Sequence, residues 1–171
     1  FDENAQQVLD SANRYTFVYR PSDIVEDTVW ITMQTSGFVS DVDRSFEVMQ
    51  VEATADNIHT KLPEGTIVKN AEVGKHYKSF DDPSISKLMV VKAGSTIGLL
   101  PIVVFRHPDL QTDKIYLRIC LKENDNFKES FPKNRYMVIE MSDMLSKPKE
   151  WGLGAIEYYF TGPYSVAKHR F

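Results

Sequence analysis

Cys120 is the only cysteine in 171 residues. No internal disulfide can form, and a Cys-based zinc site, which needs several thiolates, is excluded. That scarcity suits a cytosolic protein and equally a surface protein that relies on its core. Histidine is nearly as sparse. The four imidazoles stand at 59, 76, 107 and 169, and none pairs with another at metal-ligand spacing. The chain also lacks a Gly-x-Ser-x-Gly elbow, a phosphate-cradling glycine loop and a dinucleotide fingerprint. No apolar run approaches the roughly 20 residues of a membrane-spanning helix. The start, Phe1-Asp2-Glu3-Asn4, carries no signal-peptide pattern. With 20 basic and 24 acidic residues, a net charge of −4 and no basic stripe, nucleic acid is not an expected partner. The sequence predicts no catalytic residues, no metal and no cofactor.

What is present is patterned for strands. Apolar residues make up 42% and charged residues 26%, enough for one domain with a substantial core. In Lys114 to Lys122, Ile115, Leu117, Ile119 and Leu121 fall on one face and Tyr116, Arg118, Cys120 and Lys122 on the other. That alternation predicts a half-buried antiparallel strand, with Arg118 and Lys122 toward water and Cys120 a packed small side chain. Val29, Ile31 and Met33 alternate in the same way. Tyr15 to Tyr19, Phe46 to Val51, Lys87 to Lys92, Leu99 to Phe105 and Tyr136 to Met141 are further strands. Pro101 places its strand at an edge or a bulge. About seven short strands predict an all-β, immunoglobulin-like antiparallel sandwich.

The expected organisation is an N-terminal arm over 1–13, a sandwich over 14–145 and an aromatic C-terminal segment over 146–171 packed on it. A short helix is expected from Pro163, with Tyr164, Ala167 and Phe171 on one face. The pattern is still running at Phe171, so the native chain is expected to continue. From Glu52 to Lys75 only Thr66-Ile67-Val68 reads as a possible strand, and long connections of this kind are often functional.

The acidic residues read as local structure. Asp41-Val42-Asp43 opens like a calcium loop but lacks the glycine and closing glutamate. Asp81-Asp82-Pro83 and Glu123-Asn124-Asp125-Asn126 read as turns, where Asx side chains satisfy nearby backbone groups. The tail concentrates Trp151, Tyr158, Tyr159, Phe160, Tyr164 and Phe171. Rings of this size bury ~150–250 Å² each, so most are expected to be core, with Phe160 and Phe171 seated in apolar gaps. Trp151 follows Lys147-Pro148-Lys149-Glu150, a polar approach, and an exposed indole can stack on a sugar ring. Trp151, Tyr158 and Tyr164 are the candidate ligand or partner contacts.

Two stretches carry a resemblance. Ala71-Glu72-Val73-Gly74-Lys75-His76-Tyr77, a strand with Val90 and Val91, Lys92-Ala93-Gly94-Ser95, then Ile102-Val103-Val104-Phe105 resemble a Calx-β-type motif. In such a motif glycine permits the turns and the Tyr ring anchors in the core. The calcium chemistry of that motif does not carry over. His76 stands where its aspartate would, and Arg106-His107-Pro108 replaces its acidic run, whereas a hard cation requires several anionic oxygens.

The wider pattern "EDTVWI", "SDVDRSFEV", "VGKHY", "LPIVVFRHPDL", "IYLRICLKENDNF", "LSKPKEW" and "YYFTGPYSVAKHRF" resembles a family of Bacteroidota lipoproteins catalogued as domain of unknown function 4843. The resemblance runs from about Val18 to Phe171. It implies a lipid-anchored protein of the bacterial outer membrane or cell surface. Its expected partners are a glycan or an outer-membrane polysaccharide-uptake complex. The lipid-bearing cysteine of such proteins is absent here, so the anchor would have been removed. Asn57 to Lys69 is longer than the family pattern. The expected function is therefore a non-catalytic surface module of polysaccharide capture. A structural or adhesion-type interaction module is the alternative, and an enzyme of unrecognised type the third reading.

Overall fold

The structure is a computed structural model that describes residues 13–58, 62–128 and 136–145. The N-terminal arm up to residue 12 and the aromatic segment from 146 onward, with its expected helix, lie outside the described residues. Within them the chain forms β1 (Arg14–Thr16), β2 (Glu26–Gln34), β3 (Arg44–Ser45), β4 (Glu47–Val51), β5 (Lys69–Asn70), β6 (Val90–Val91), β7 (Ile97–Phe105), β8 (Ile115–Lys122) and β9 (Tyr136–Ser142). One sheet runs β1-β9-β8-β4, with β5 also on β8, and the other runs β2-β7-β6-β3. The architecture is the all-β, antiparallel-rich sandwich that the alternation predicts. Among the described residues it has nine strands rather than about seven, because the two-residue pieces β3 and β5 are too short to show a period. Two pairings, β1 with β9 and β5 with β8, are parallel.

Cross-strand register shows how the sequence builds the core. Val29 pairs with Ile102 and Ile31 with Leu100, so one apolar row of β2 meets one of β7. Facing them, Leu117 pairs with Ile139 and Ile115 with Met141. All eight side chains are buried. Each such burial stabilises by about 1.5–3 kcal/mol relative to exposure. Gly98 marks the tightest contact: a Cβ there would stand 2.8 Å from the Phe46 ring and 3.0 Å from Val91. Only a residue without a side chain lets Phe46 reach that depth.

The outer face of β8 departs from expectation. Lys122 is exposed and Cys120 is packed, as expected, but Tyr116 is buried and Arg118 is half-buried rather than exposed. The connection after β4 is the reason near Tyr116. Ala53, Ile58 and Val68 pack with Tyr116 and Val138 into a second, smaller core. Asn70 holds the connection in place: Ala53 N donates to Asn70 Oδ1 at 2.7 Å, and Asn70 Nδ2 donates to Ala53 O at 2.9 Å. The strand in this connection is Lys69–Asn70, not Thr66 to Val68. Arg118 keeps its charge near water by lying over the Tyr136 ring, 3.8 Å from the centroid, while Nη1 donates to Glu52 O.

Pro101 is tolerated for a local reason. β7 is internal to its sheet, yet its far edge changes partner along its length. Val91 of β6 faces Gly98, and farther on Lys78 N donates to Val103 O and Phe105 N to His76 O. Residue 101 shares the direction of 103 and 105, so the N–H that proline lacks would point to the stretch between those partners. β1 and β6 are shorter than the sequence suggests. Phe17 to Arg20 turn away after β1, and Asp82 caps a single helical turn at Pro83–Ser86, with Oδ1 accepting from Ser84 N at 2.8 Å. The Asx reading of Asn124 holds too: its Oδ1 accepts from Asn126 N and Phe127 N.

Candidate functional site

The two ends of the sandwich differ in chemistry. At the end where β2 begins and β7 and β9 finish, the chain gathers charge. Arg106 leaves β7 and meets Asp143, just past β9, through Nε to Oδ2 at 2.8 Å and Nη2 to Oδ1 at 3.0 Å. Nη1 also donates to Pro21 O at 2.8 Å, and the guanidinium lies over the Phe17 ring. Both side chains are largely buried, and the Asp143 pairing raises the Arg106 pKa further. This two-toothed geometry ties three segments together.

Beside it, the turn over residues 72–77 packs against the 3-10 turn Pro108–Gln111. Gly74 makes the first turn possible with φ +79°, and Tyr77 anchors it: the ring is buried and its hydroxyl donates to Gln50 Oε1 at 2.7 Å. These are the roles the Calx-β-type resemblance implies for them. Between the two turns lie His76, His107 and Asp109, whose ligand atoms fall within 4.8 Å of one another. Sequence spacing could not show this, because 31 positions separate the imidazoles and only the pairing of residues 76–78 with 103–105 brings them together.

The group resembles a metal centre in composition, but its protons oppose one. His76 Nδ1 accepts from Glu72 N at 3.0 Å, so in the neutral ring the proton sits on Nε2. That Nε2 is buried without a hydrogen-bond partner, 3.5 Å from Asp109 Oδ2. A metal ligand needs a lone pair there and would move the proton to Nδ1, against the Glu72 N–H. The Lys75 ammonium already sits 2.7 Å from Asp109 Oδ2 and 3.0 Å from Glu72 Oε1. It holds the Asp109 carboxyl below its ordinary range, and the two carboxylates raise Lys75 in turn. Burial, and then the Lys75 charge, push His76 below the usual imidazole range. Calcium fits no better, since the carboxylates within reach are engaged by Lys75.

A second buried carboxylate, Glu140, is likewise matched. Lys114 Nζ lies 2.7 Å from Oε1 and the Tyr116 hydroxyl donates to Oε2 at 3.3 Å. Burial, and then the Glu140 charge, push the phenol up to about 12.

The opposite end is apolar. The loop over residues 35–43 joins β2 to β3 and stands beside the 92–97 turn. Phe38 is 99% exposed, and Val39, Val42 and Ile97 are each more than half exposed. Trp151, Tyr158 and Tyr164 lie outside the described residues, so they are not placed relative to either end.

A model of the family described as "Domain of unknown function (DUF4843)" matches residues 1–171, and the chain belongs to that family. No curated protein sequence matches it. Among solved structures, the fold is similar to that of a protein from Bacteroides ovatus ATCC 8483 described as "a putative carbohydrate binding protein". The TM-score is 0.50 at 12% identity, over 79% of this chain and 36% of that one. The chain therefore spans about a third of the length of that protein, and at this identity the likeness is one of fold.

Proposed function

We propose that this member of the DUF4843 family is a non-catalytic, glycan-binding module of the bacterial cell surface. In this reading it serves polysaccharide capture as a lipid-anchored accessory of an outer-membrane uptake complex. The observation that carries the reading is the shared sandwich with a protein whose description is carbohydrate binding. The chemistry of the charged end agrees with it. Asp109, Glu140 and Asp143 are each held by a lysine or an arginine, and His76 is buried with Nδ1 committed to the backbone. Groups neutralised in this way build a frame rather than a general base poised in a cleft.

Affinity electrophoresis against a panel of neutral and uronic-acid polysaccharides tests the proposal. At least one soluble polysaccharide is expected to retard the protein, and Trp151→Ala is expected to weaken the retardation without lowering the melting temperature by much. Unchanged migration through every polysaccharide would refute the reading.

A further inference from the structure

We propose that the apolar tip, centred on Phe38, is a contact surface for the non-ionic face of a neutral glycan chain. The inference rests on the glycan-binding reading and assigns part of its surface. Phe38 is 99% exposed, so the ring contributes nothing to the core that would explain a large apolar side chain at this position. Its neighbours Val39, Val42 and Ile97 extend the apolar surface.

The loop that carries the ring is pinned where it meets the 92–97 turn. Thr35 N donates to Thr96 O at 2.8 Å, and Gly94 N donates to Ser40 O at 2.8 Å. At its far end Asp43 accepts from Ala93 N at 2.9 Å and from Lys92 Nζ at 2.7 Å. Gly37 takes φ +109°, which sets the bend just before the ring. These bonds fix the base of the loop, and an aromatic side chain has few rotatable bonds to freeze when it is covered, which favours binding.

Charge and size select the occupant. Among the described residues the tip carries two cations, Lys92 paired with Asp43 and Arg44 laid over the Phe127 ring with Nη2 donating to Ser95 O, and Asp41 brings its charge to zero. Anionic lipid and nucleic acid are therefore disfavoured, as is a uronic-acid polymer. A second copy of the chain fits poorly on area. A stable interface needs about 800 Å² per partner, whereas one aromatic ring supplies ~150–250 Å² and three half-exposed aliphatic side chains cannot make up the difference. A pyranose ring matches the scale of one phenyl face. The Ser36 hydroxyl and the Asp41 carboxylate stand on the same loop and can take up sugar hydroxyls, and the Ser40 hydroxyl, which accepts from Val42 N, can still donate to one.

The experiment compares wild type, Phe38→Ala and Phe38→Tyr on the polysaccharides that the wild type binds, with melting temperatures measured alongside. Phe38→Ala is expected to weaken binding of a neutral polysaccharide by about tenfold, while Phe38→Tyr retains it and neither variant changes the melting temperature. If Phe38→Ala binds as wild type does, the assignment of the tip is wrong and the glycan reading stands. If the wild type binds no polysaccharide, both fall. A lowered melting temperature in Phe38→Ala, or a Phe38-dependent dimer or binding to anionic vesicles, would also overturn the assignment.

Discussion

At one end of this sandwich the charged side chains pair with one another, and at the other an aromatic ring stands in water. At the charged end the described polar groups turn inward on one another: Arg106 on Asp143, Lys75 on Asp109 and Glu72, and Glu72 N on His76. At the apolar end only the base of the loop is braced, and Phe38, Val39 and Val42 face water. A cluster of titratable groups is the usual first place to look for function. Here its charged groups pair with one another, with His76 Nε2 left buried and unpartnered, and the most exposed large apolar side chain, Phe38, stands at the other end. Buried polar networks rigidify, whereas exposed apolar surface calls for an explanation.

The sharpest way to break the comparison is to remove one side of the central ion pair. Arg106→Ala leaves the Asp143 carboxylate buried with no counter-charge and releases the carbonyls of Phe17 and Pro21. Such truncations cost about 3–5 kcal/mol. Urea unfolding should show a loss of this size, whereas Phe38→Ala at the other end should show none. A loss below about 1 kcal/mol for Arg106→Ala would mean that the pair is not the tie described here.

How much of this contrast was legible beforehand depends on the range of the signal. The sandwich could be read because alternation in β2, β7, β8 and β9 is a local pattern, and the register Val29 to Ile102 only completes it. Asp82 and Asn124 could be read as turn residues because an Asx side chain acts within two or three positions. The joining of His76 to His107 could not be read, since it depends on a non-local pairing at β7. Nor could the burial of Tyr116, which depends on where a long connection lies. In the sequence Arg106 shows only a positive charge in place of an acid, because its partner Asp143 lies 37 positions away. Phe38 gives no sequence signal, because periodicity reports strands and a ring in a turn has no period.

A smaller effect, spread over a pH window, sharpens the account of the charged end. Burial and Lys75 lower the His76 pKa in the folded state below its ordinary value of 6.5. As pH falls through 6.5 the unfolded chain takes up this proton before the folded chain does. The stability that His76 confers is therefore complete above that pH and is lost as pH falls toward the folded-state pKa. Glu72, Lys75, Asp109 and His107 are the charged or titratable groups that face it. Asp109, also lowered, adds its own loss only at more acidic pH, below its ordinary 3.8. Urea midpoints at pH 7.5 and 5.0 should fall farther apart for wild type than for His76→Gln. Equal differences would show that His76 takes up its proton as easily folded as unfolded.

The smallest expected effect is that of divalent ions, and it tests the same end of the molecule from outside. Calcium wants several anionic oxygens, and Asp109 offers a carboxylate already held by Lys75 at 2.7 Å. Zinc would favour the imidazoles, and the separation of 3.5 Å between His76 Nε2 and Asp109 Oδ2 is close to what two ligands of one ion require. To use that nitrogen, however, zinc must displace its proton to Nδ1 and so break the Glu72 N–H bond to the ring. It must also separate Lys75 from Asp109. A ligand that binds the folded state stabilises it by RT ln(1 + [L]/Kd), so an ion that binds no tighter than about millimolar leaves the melting temperature nearly unmoved at that concentration. Melting curves with calcium and with zinc, each at about 1 mM, are expected to overlay the curve recorded with chelator. A saturable rise with zinc that disappears in His107→Ala would show that the Glu72 bond gives way, and the charged end would then be a metal site rather than a closed frame.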